Sequence, residues 1–377
     1  MHIKYILTHP IQYQSPLIKY LVNKRIQITV LYRSNISVKK YYDNEFKKKI
    51  KWDVDLLSGY NYKFLKHFGK NTVNNFLPIT TDFNKKIFCD ADIIWVHNIK
   101  NWYNLIIVIL AKYKNKKVFI RNESNTLNRS FFNNIFNLLF FKLFDNFIDA
   151  YLSIGTMNKK FYLKNNIKKN KIFNVPYVVD NNLFLNKKKF QLTKKITFLF
   201  AGKLIYRKGA DLLLTAICEL KKQKISLSNT KFIIIGDGVN KKRLIKFSKH
   251  NNLTNVQFLP FQNYKDLKTS YNKSDVFIIP SRTENWGLTI NEAMAAGNAI
   301  ISSEECGASY DLIKNNINGY TFVNNDAVDL SKKIKLIIKN KNKINNFKKN
   351  SIKIITKWNF QKCFDGLNKA INYVNKK

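Results

Sequence analysis

Acidic side chains are scarce in this chain. It has 24 Asp+Glu against 66 Lys+Arg, a formal charge of +42 over 377 residues. Cysteine is scarce as well. Cys89, Cys218, Cys306 and Cys363 lie far apart with no C-x-x-C pair, which speaks against a zinc site or a disulfide framework and fits a reducing cytoplasm. The five histidines, His2, His9, His67, His97 and His250, show no metal-ligand spacing. No G-x-G-x-x-G follows a strand, so a nicotinamide Rossmann site is disfavoured. Long apolar runs are missing, since the longest plain one, Leu105 to Ala111, is too short to span a bilayer. The opening MHIKYILTHP reads as the start of a strand and lacks the pattern of a secretory signal. No internal repeat appears.

What the chain does have is apolar content. At 45% hydrophobic residues it can bury a sizeable core, and its length suits two domains of ordinary size. Three causes compete for the charge: nucleic-acid binding, attachment to an anionic membrane face, and bias toward residues with AT-rich codons. The lysines are spread over the whole chain, alongside many Asn, Ile, Phe and Tyr. Bias is therefore read as the main cause and membrane attraction as its consequence.

The apolar pattern begins strand–helix–strand: Lys4 to Thr8, a helix from Ser15 or Pro16 through Leu21–Val22, then Ile26 to Tyr32. That start argues for a doubly wound sheet. Val38 to Lys66 looks like an insertion. Asp90 and Asp92 precede the strand Ile93–Val96 instead of following it, so they read as turn and solvated loop, not as a metal site. His97 sits at that strand's carboxyl end. Asn101 to Tyr113 reads as a helix and Val118 to Ile120 as a strand. Between Ser130 and Ile148, nine apolar residues from Phe131 to Phe147 follow helical spacing. That stripe suits a core face or a membrane-surface helix. Ala150 to Ile154 is expected to be the last strand of the first half.

The stretch that organises the second half is DVFIIPSRTENWGLTINEAMAAG, Asp275 to Gly297. It reads as a buried strand, a break at Pro280, a polar loop, and a helix closed by Gly297. Glu284 falls on the loop and Glu292 in the first turns of the helix, with seven residues between them. The carboxyl end of a parallel strand is where open α/β sheets bind ligands, and a helix start suits phosphate. A nucleotide-sugar, a diphosphate between two polyols, has the matching chemistry.

The string PSRTENWGLTINEAMAAGNAII resembles the E-x7-E signature of retaining glycosyltransferases of family 4, which have the GT-B fold. GKLIYRKGADLLL is similar to that family's GRLxxxKGxDLLL, IIIGDGV to its GxGP loop, and VPYVVD to its VPxGVD hinge with Val178 in place of glycine. HPIQYQSPLIKYL and WDVDLLSGYNYKFL resemble one branch of the family. The likeness covers nearly the whole chain and is strongest from Ala201 to Phe322. It implies an α/β GT-B chain of two Rossmann-like domains facing an interdomain cleft. Residues 1–175 would form the acceptor-side domain, 176–195 a hinge and lysine-rich linker, and 196–356 the nucleotide-sugar domain. Residues 357–377 would be a helix crossing back to the first domain.

The resemblance also implies roles. Lys203, where arginine is usual, and Lys208 would carry the charge of the leaving diphosphate. Glu284 would hold donor-sugar hydroxyls and Glu292 the ribose hydroxyls. Gly287, Leu288 and Thr289 would offer N–H groups to the diphosphate. Gly236 would lie close to the nucleotide, and backbone at Phe258 to Phe261 would read the base edge. In the first domain His9 and Gln12 would face the donor, with His97, Arg121 and Asn122 along the cleft. Glu123 stands where relatives often have a histidine; it would bind an acceptor hydroxyl or act as a base. Arg121 would bind phosphate or pair with Glu123. No cofactor and no metal are implied, and retention is drawn as a same-face substitution in which the departing phosphate takes the acceptor's proton. The expected function is a hexosyl transfer from a nucleotide-sugar to a glycan or lipid-linked acceptor in cell-surface polysaccharide synthesis. It would take place in the cytoplasm or peripherally on the inner membrane face. Two alternatives stand beside it: a basic nucleic-acid-binding protein, and a GT-B nucleotide-sugar 2-epimerase.

Overall fold

The computed structural model describes residues 1–69, 79–127, 130–185 and 195–376. The chain divides into two compact units. The first holds residues 1–41, 54–179 and 360–377, and the second holds 42–53 and 180–359. Of the expected hinge and linker, 176–195, residues 186–194 lie outside the described residues.

The first unit is built on seven parallel strands: β1 (His2–Leu7), β2 (Gln27–Tyr32), β3 (Asn61–Phe64), β4 (Ile93–His97), β5 (Lys117–Arg121), β6 (Ala150–Ser153) and β7 (Ile172–Asn174). Their order is β7-β6-β5-β4-β1-β2-β3. Strands β1 and β4 are almost wholly buried, as expected where helices cover both faces of a parallel sheet. Trp95 of β4 stacks on Tyr5 of β1 at 3.8 Å between ring centroids. Helix α1 (Gln14–Asn23) follows β1, and α2 (Trp102–Tyr113) follows β4. The Asn101 side chain caps α2 by accepting from the amides of Tyr103 and Asn104. The C-terminal helix, Phe360–Asn375, packs on β6, β7 and α1 of this unit.

Two expectations need correction here. Ala150 to Ile154 is not the last strand, because Ile172–Asn174 pairs beyond it at the sheet edge. A three-residue strand next to the polar Asn165 to Lys171 has too little alternation to register in the sequence. Nor is Val38 to Lys66 only an insertion. Its end supplies the edge strand β3, and its middle belongs to the other unit.

The second unit has six parallel strands: β8 (Ile196–Ala201), β9 (Thr230–Ile235), β10 (Val256–Leu259), β11 (Val276–Ile279), β12 (Ala299–Ser303) and β13 (Gly319–Phe322). Their order is β10-β9-β8-β11-β12-β13. Helix α3 (Ala210–Lys222) puts Leu213, Ala216, Ile217 and Leu220 on one face, and these join Phe198, Phe232 and Ile278 in the core. Residues 42–53 carry most of a small hairpin, Tyr41–Asp43 with Lys48–Ile50, and lie on this second unit. A helix from Ile344 to Ile355 is anchored by Lys348, whose ammonium donates to Asp275 at 3.0 Å with both side chains buried. Among the described residues no helix is long and apolar enough to cross a membrane.

Candidate active site

In each unit the strand order reverses beside the first strand, and ligands in open sheets lie outside the carboxyl ends at such a point. In the second unit that point is between β8 and β11. The loop after β8 carries Lys203 and Lys208, and the loop after β11 carries Glu284. The two loops are laced together. The amide of Arg282 donates to the Arg207 carbonyl at 2.9 Å, and its guanidinium donates to the Tyr206 carbonyl at 2.6 Å and to Asp211. Gly209 ends the first loop at φ +73°, and a Cβ there would stand 1.9 Å from the Pro280 carbonyl oxygen of the second loop. Only glycine allows both that backbone and that approach.

This lacing fixes Lys208 against Glu284. Its ammonium donates to Glu284 Oε2 in a short contact, with Arg207 Nη1 at 3.7 Å from the same oxygen. The Glu284 backbone is held in turn, donating to Glu305 O and accepting from the Gly307 amide, each at 3.1 Å. Gly287 follows at φ +96° and begins helix α4 (Leu288–Ala295), so the first-turn amides of Leu288 and Thr289 lie beside this loop.

Glu292 lies further along α4 and is buried. Its Oε2 accepts from the Tyr271 hydroxyl at 3.0 Å. Burial pushes its carboxyl up to about 7, opposed by the hydroxyls of Tyr271 and Tyr264. Both tyrosines come from the helix Tyr264–Asn272.

Lys203 points to a different set of acids. Its ammonium donates to Asp43 at 3.1 Å and to Glu45 at 2.6 Å, both from the 42–53 segment. After β9, Gly236 is followed by Asp237, whose carboxylate accepts from Lys48 at 2.9 Å, from Lys241 at 2.5 Å and from the Phe261 amide at 3.0 Å. Burial pushes Asp237 up, but Lys241, Lys48 and the Phe261 amide together outweigh it and leave the carboxyl below its ordinary value. The Phe261 amide, expected to read a base edge, is thus engaged by Asp237, while its ring meets Phe46 and Trp52.

In the first unit the corresponding point lies between β1 and β4. His97 closes β4, and its two ring nitrogens meet the hydroxyls of Tyr5 at 3.3 Å and Tyr177 at 3.1 Å. The Tyr177 hydroxyl donates to Glu123 Oε1 at 2.5 Å, and Tyr13 reaches the same oxygen at 3.4 Å. Glu123 is the partly exposed end of this otherwise buried chain. His9 Nδ1 is buried without a hydrogen-bond partner among the described residues, and burial pushes its ring down to about 4. Gln12 is half-buried on the same loop. Arg121 is fully buried and donates to the carbonyls of Val175 and Pro176 at 3.0 and 2.8 Å, stacked over Tyr177. It pins the 175–177 segment. Asn122 turns its side-chain oxygen to the Ser124 amide.

The structure therefore brings Lys208 to Glu284 and joins His97 to Glu123 through Tyr177. Sequence reasoning missed Arg207, Arg282, Tyr271 and residues 42–51 of the 42–53 segment, of which only Trp52 and Asp53 fell inside a quoted string. Arg282 stood inside the quoted motif and could have been found there. The segment's acids gave no local signal. Among the described residues no group of three His, Cys, Asp or Glu could hold a metal ion.

The family model of glycosyl transferases group 1 matches residues 184–354, which lie within the second unit. That stretch belongs to the glycosyl transferases group 1 family. An uncharacterized glycosyltransferase of Methanocaldococcus jannaschii is 27% identical over 172 residues, 46% of each chain. A Campylobacter jejuni enzyme is named as an α-1,4-N-acetyl-D-galactosaminyltransferase acting on a GalNAc-containing glycan on PP-undecaprenol. It is 27% identical over 196 residues, 52% of each chain. The chain spans about half or less of the length of these first curated relatives. The crystal structure of Anabaena HepE in complex with UDP and glucose superimposes with a TM-score of 0.71 over 99% of both chains at 13% identity. At that identity the likeness concerns the fold alone, and the fold is GT-B, with two Rossmann-like units. The group 1 match covers Lys203, Lys208, Glu284 and Glu292 together.

Proposed function

We propose that this chain, whose residues 184–354 match glycosyl transferases group 1, is a transferase that moves a sugar, with retention, from a nucleotide-sugar to a glycan or lipid-linked acceptor. The observation that carries the reading is the Lys208–Glu284 pair at the strand-order reversal of the group 1 stretch, beside the Lys203 loop. A diphosphate gains negative charge as the glycosyl bond breaks, and fixed cations at that point stabilise the transition state. In this reading Lys208 and Lys203 take the leaving-group charge. Glu284, oriented by its backbone bonds, binds the donor sugar's hydroxyls. Glu292 accepts from the ribose, and the Leu288 and Thr289 amides face the diphosphate. The departing phosphate oxygen takes the acceptor's proton, so no metal or protein nucleophile enters the scheme. Glu123, oriented by Tyr177 and His97, binds the acceptor.

The HepE structure contains UDP and the Campylobacter relative acts on a PP-undecaprenol-linked glycan, which supports a nucleotide donor and a lipid-borne acceptor. A peripheral membrane position on the inner face of the cell membrane is supported by the helix Phe131–Phe144. There Phe141 enters the core while Phe132 and Leu143 stay 82% and 69% exposed, with Phe136 and Leu139 also open to solvent, on a chain of charge +42.

A thermal-shift panel of nucleotide-sugars tests the donor assignment. One nucleotide class is expected to raise the melting temperature by mass action, and Glu292→Ala to abolish that shift. Unchanged affinity in Glu292→Ala would end the assignment. Conversion of the donor to an isomer without any acceptor would instead favour the epimerase.

A further inference from the structure

The segment 42–53 comes from the N-terminal third of the sequence but folds onto the second unit. It is fastened at its far end, where Asp53 accepts from the amides of Tyr264 and Lys265 at 3.1 and 3.2 Å and Trp52 packs on Tyr264 and Phe261. Its tip is a tight turn, in which Asp43 Oδ1 accepts from the amides of Glu45 and Phe46 at 2.9 Å each. The other Asp43 oxygen and Glu45 hold Lys203, and Glu45 Oε1 lies 3.9 Å from Arg207. Phe46 sets its ring edge-on to Phe261 at 4.9 Å, with the Lys203 ammonium 5.0 Å from the Phe46 centroid.

The charges around the β8 and β11 loops form one chain: Asp43, Lys203, Glu45, Arg207, Glu284, Lys208. Three cations face three carboxylates, and two of the carboxylates belong to the tip. Without them the loops would show two uncompensated positive charges. A nucleoside diphosphate-sugar brings two negative charges next to an aromatic base. The tip presents the same sequence of features, two anions on Lys203 and then an aromatic ring on Phe261.

Resting on the donor reading above, we propose that residues 43–46 are an internal stand-in for a nucleoside diphosphate. Asp43, Glu45 and Phe46 then compete with the donor for Lys203 and Phe261. The tip leaves Lys203 when a donor arrives, while Asp53 and Trp52 keep the segment attached. The phosphates of a nucleotide replace the lost charges; a nucleoside without phosphate replaces none. The tip therefore restrains every phosphate-bearing ligand that has to displace it from Lys203. Glu45 is half-exposed, and ion pairs of that kind are weak enough to exchange. Because the competent state is only a fraction of the population, the docked tip lowers apparent donor affinity by that fraction.

The experiment compares the full chain with the double variant Asp43→Asn, Glu45→Gln, which keeps the side-chain oxygens that shape the turn. Isothermal titration uses UDP, GDP, ADP and dTDP, the corresponding monophosphates, and inorganic pyrophosphate. The variant is expected to bind its preferred diphosphate and the corresponding monophosphate each on the order of tenfold more tightly, since both have to displace the tip. Amide hydrogen exchange at 43–50 is expected to speed up in the unmodified protein when the diphosphate is added. Equal or weaker binding by the variant, or slower exchange at 43–50, would overturn the inference and make the segment a fixed wall. If neither protein binds any diphosphate, the donor reading falls and takes this inference with it. If both bind alike, only the inference falls.

Discussion

Glu292 shows at the residue scale how one burial decides two behaviours. Its carboxyl rises from 4.5 to about 7 because the folded chain removes it from water. The folded value lies above the unfolded one, so the native state holds the proton more tightly. The carboxyl costs stability increasingly as pH climbs from 4.5 toward 7, and that cost stays constant above. Glu292→Gln is therefore expected to stabilise the unliganded protein at pH 8 by about 2 kcal/mol and to flatten its stability between pH 5 and 7, read by denaturant titration. The same substitution weakens the proposed donor binding. The ionised carboxylate is the better acceptor of ribose hydroxyls, so donor affinity should rise with pH through about 7 in the unmodified protein and stay flat in Glu292→Gln. Lys208 acts at the same scale. Removing it as Lys208→Ala should slow transfer on the order of a hundredfold with a smaller change in nucleotide affinity, read as kcat against Kd. Lys208→Arg is expected to recover little, since a planar fork does not reproduce a point charge against Glu284.

At the scale of the element, the two loops after β8 and β11 work as one piece because Gly209 lets them touch. Gly209→Ala must move the Pro280 carbonyl or abandon the left-handed backbone. Its expected effect is a fall in melting temperature of roughly 5 °C or more together with loss of transfer, as the Lys208–Glu284 pair is misplaced. The helix Phe131–Phe144 tests a second element. Leu139→Glu alters an exposed position, so stability should change by no more than about 0.5 kcal/mol. Sedimentation with vesicles containing phosphatidylserine is expected to fall several-fold in that variant, and unchanged sedimentation would remove the helix from any membrane role.

For the whole molecule the charge of +42 is the dominant fact. It predicts attraction to any polyanion, which salt screens. Binding to duplex DNA in 50 mM salt that disappears by about 200 mM would mark a non-specific electrostatic contact. Tight binding that survives such salt would favour the nucleic-acid alternative instead. Each unit carries its own core and sheet, and in the proposed reading the nucleotide's phosphates bind in the second. A ligand at a hundred times its Kd should stabilise that unit by about 2.7 kcal/mol.

The sequence by itself determined the parallel α/β class, through the strand–helix–strand pattern of its first 32 residues and the buried apolar run that became β11. It also determined the local motifs, because Glu284, Gly287 and Glu292 lie on one loop and helix, and Lys203 and Lys208 on another. Gly209 stood inside the quoted GKLIYRKGADLLL, but its contact with Pro280 was not legible there. What only the tertiary structure decided depends on residues far apart in the chain. It gave Tyr271 to Glu292, spent Arg121 on the carbonyls of Val175 and Pro176, and set Asp43 and Glu45 on Lys203 across 158 or more residues. Periodicity records which face of an element is buried. It carries no record of which distant side chain meets a given charge, since that pairing is fixed by the packing of whole units.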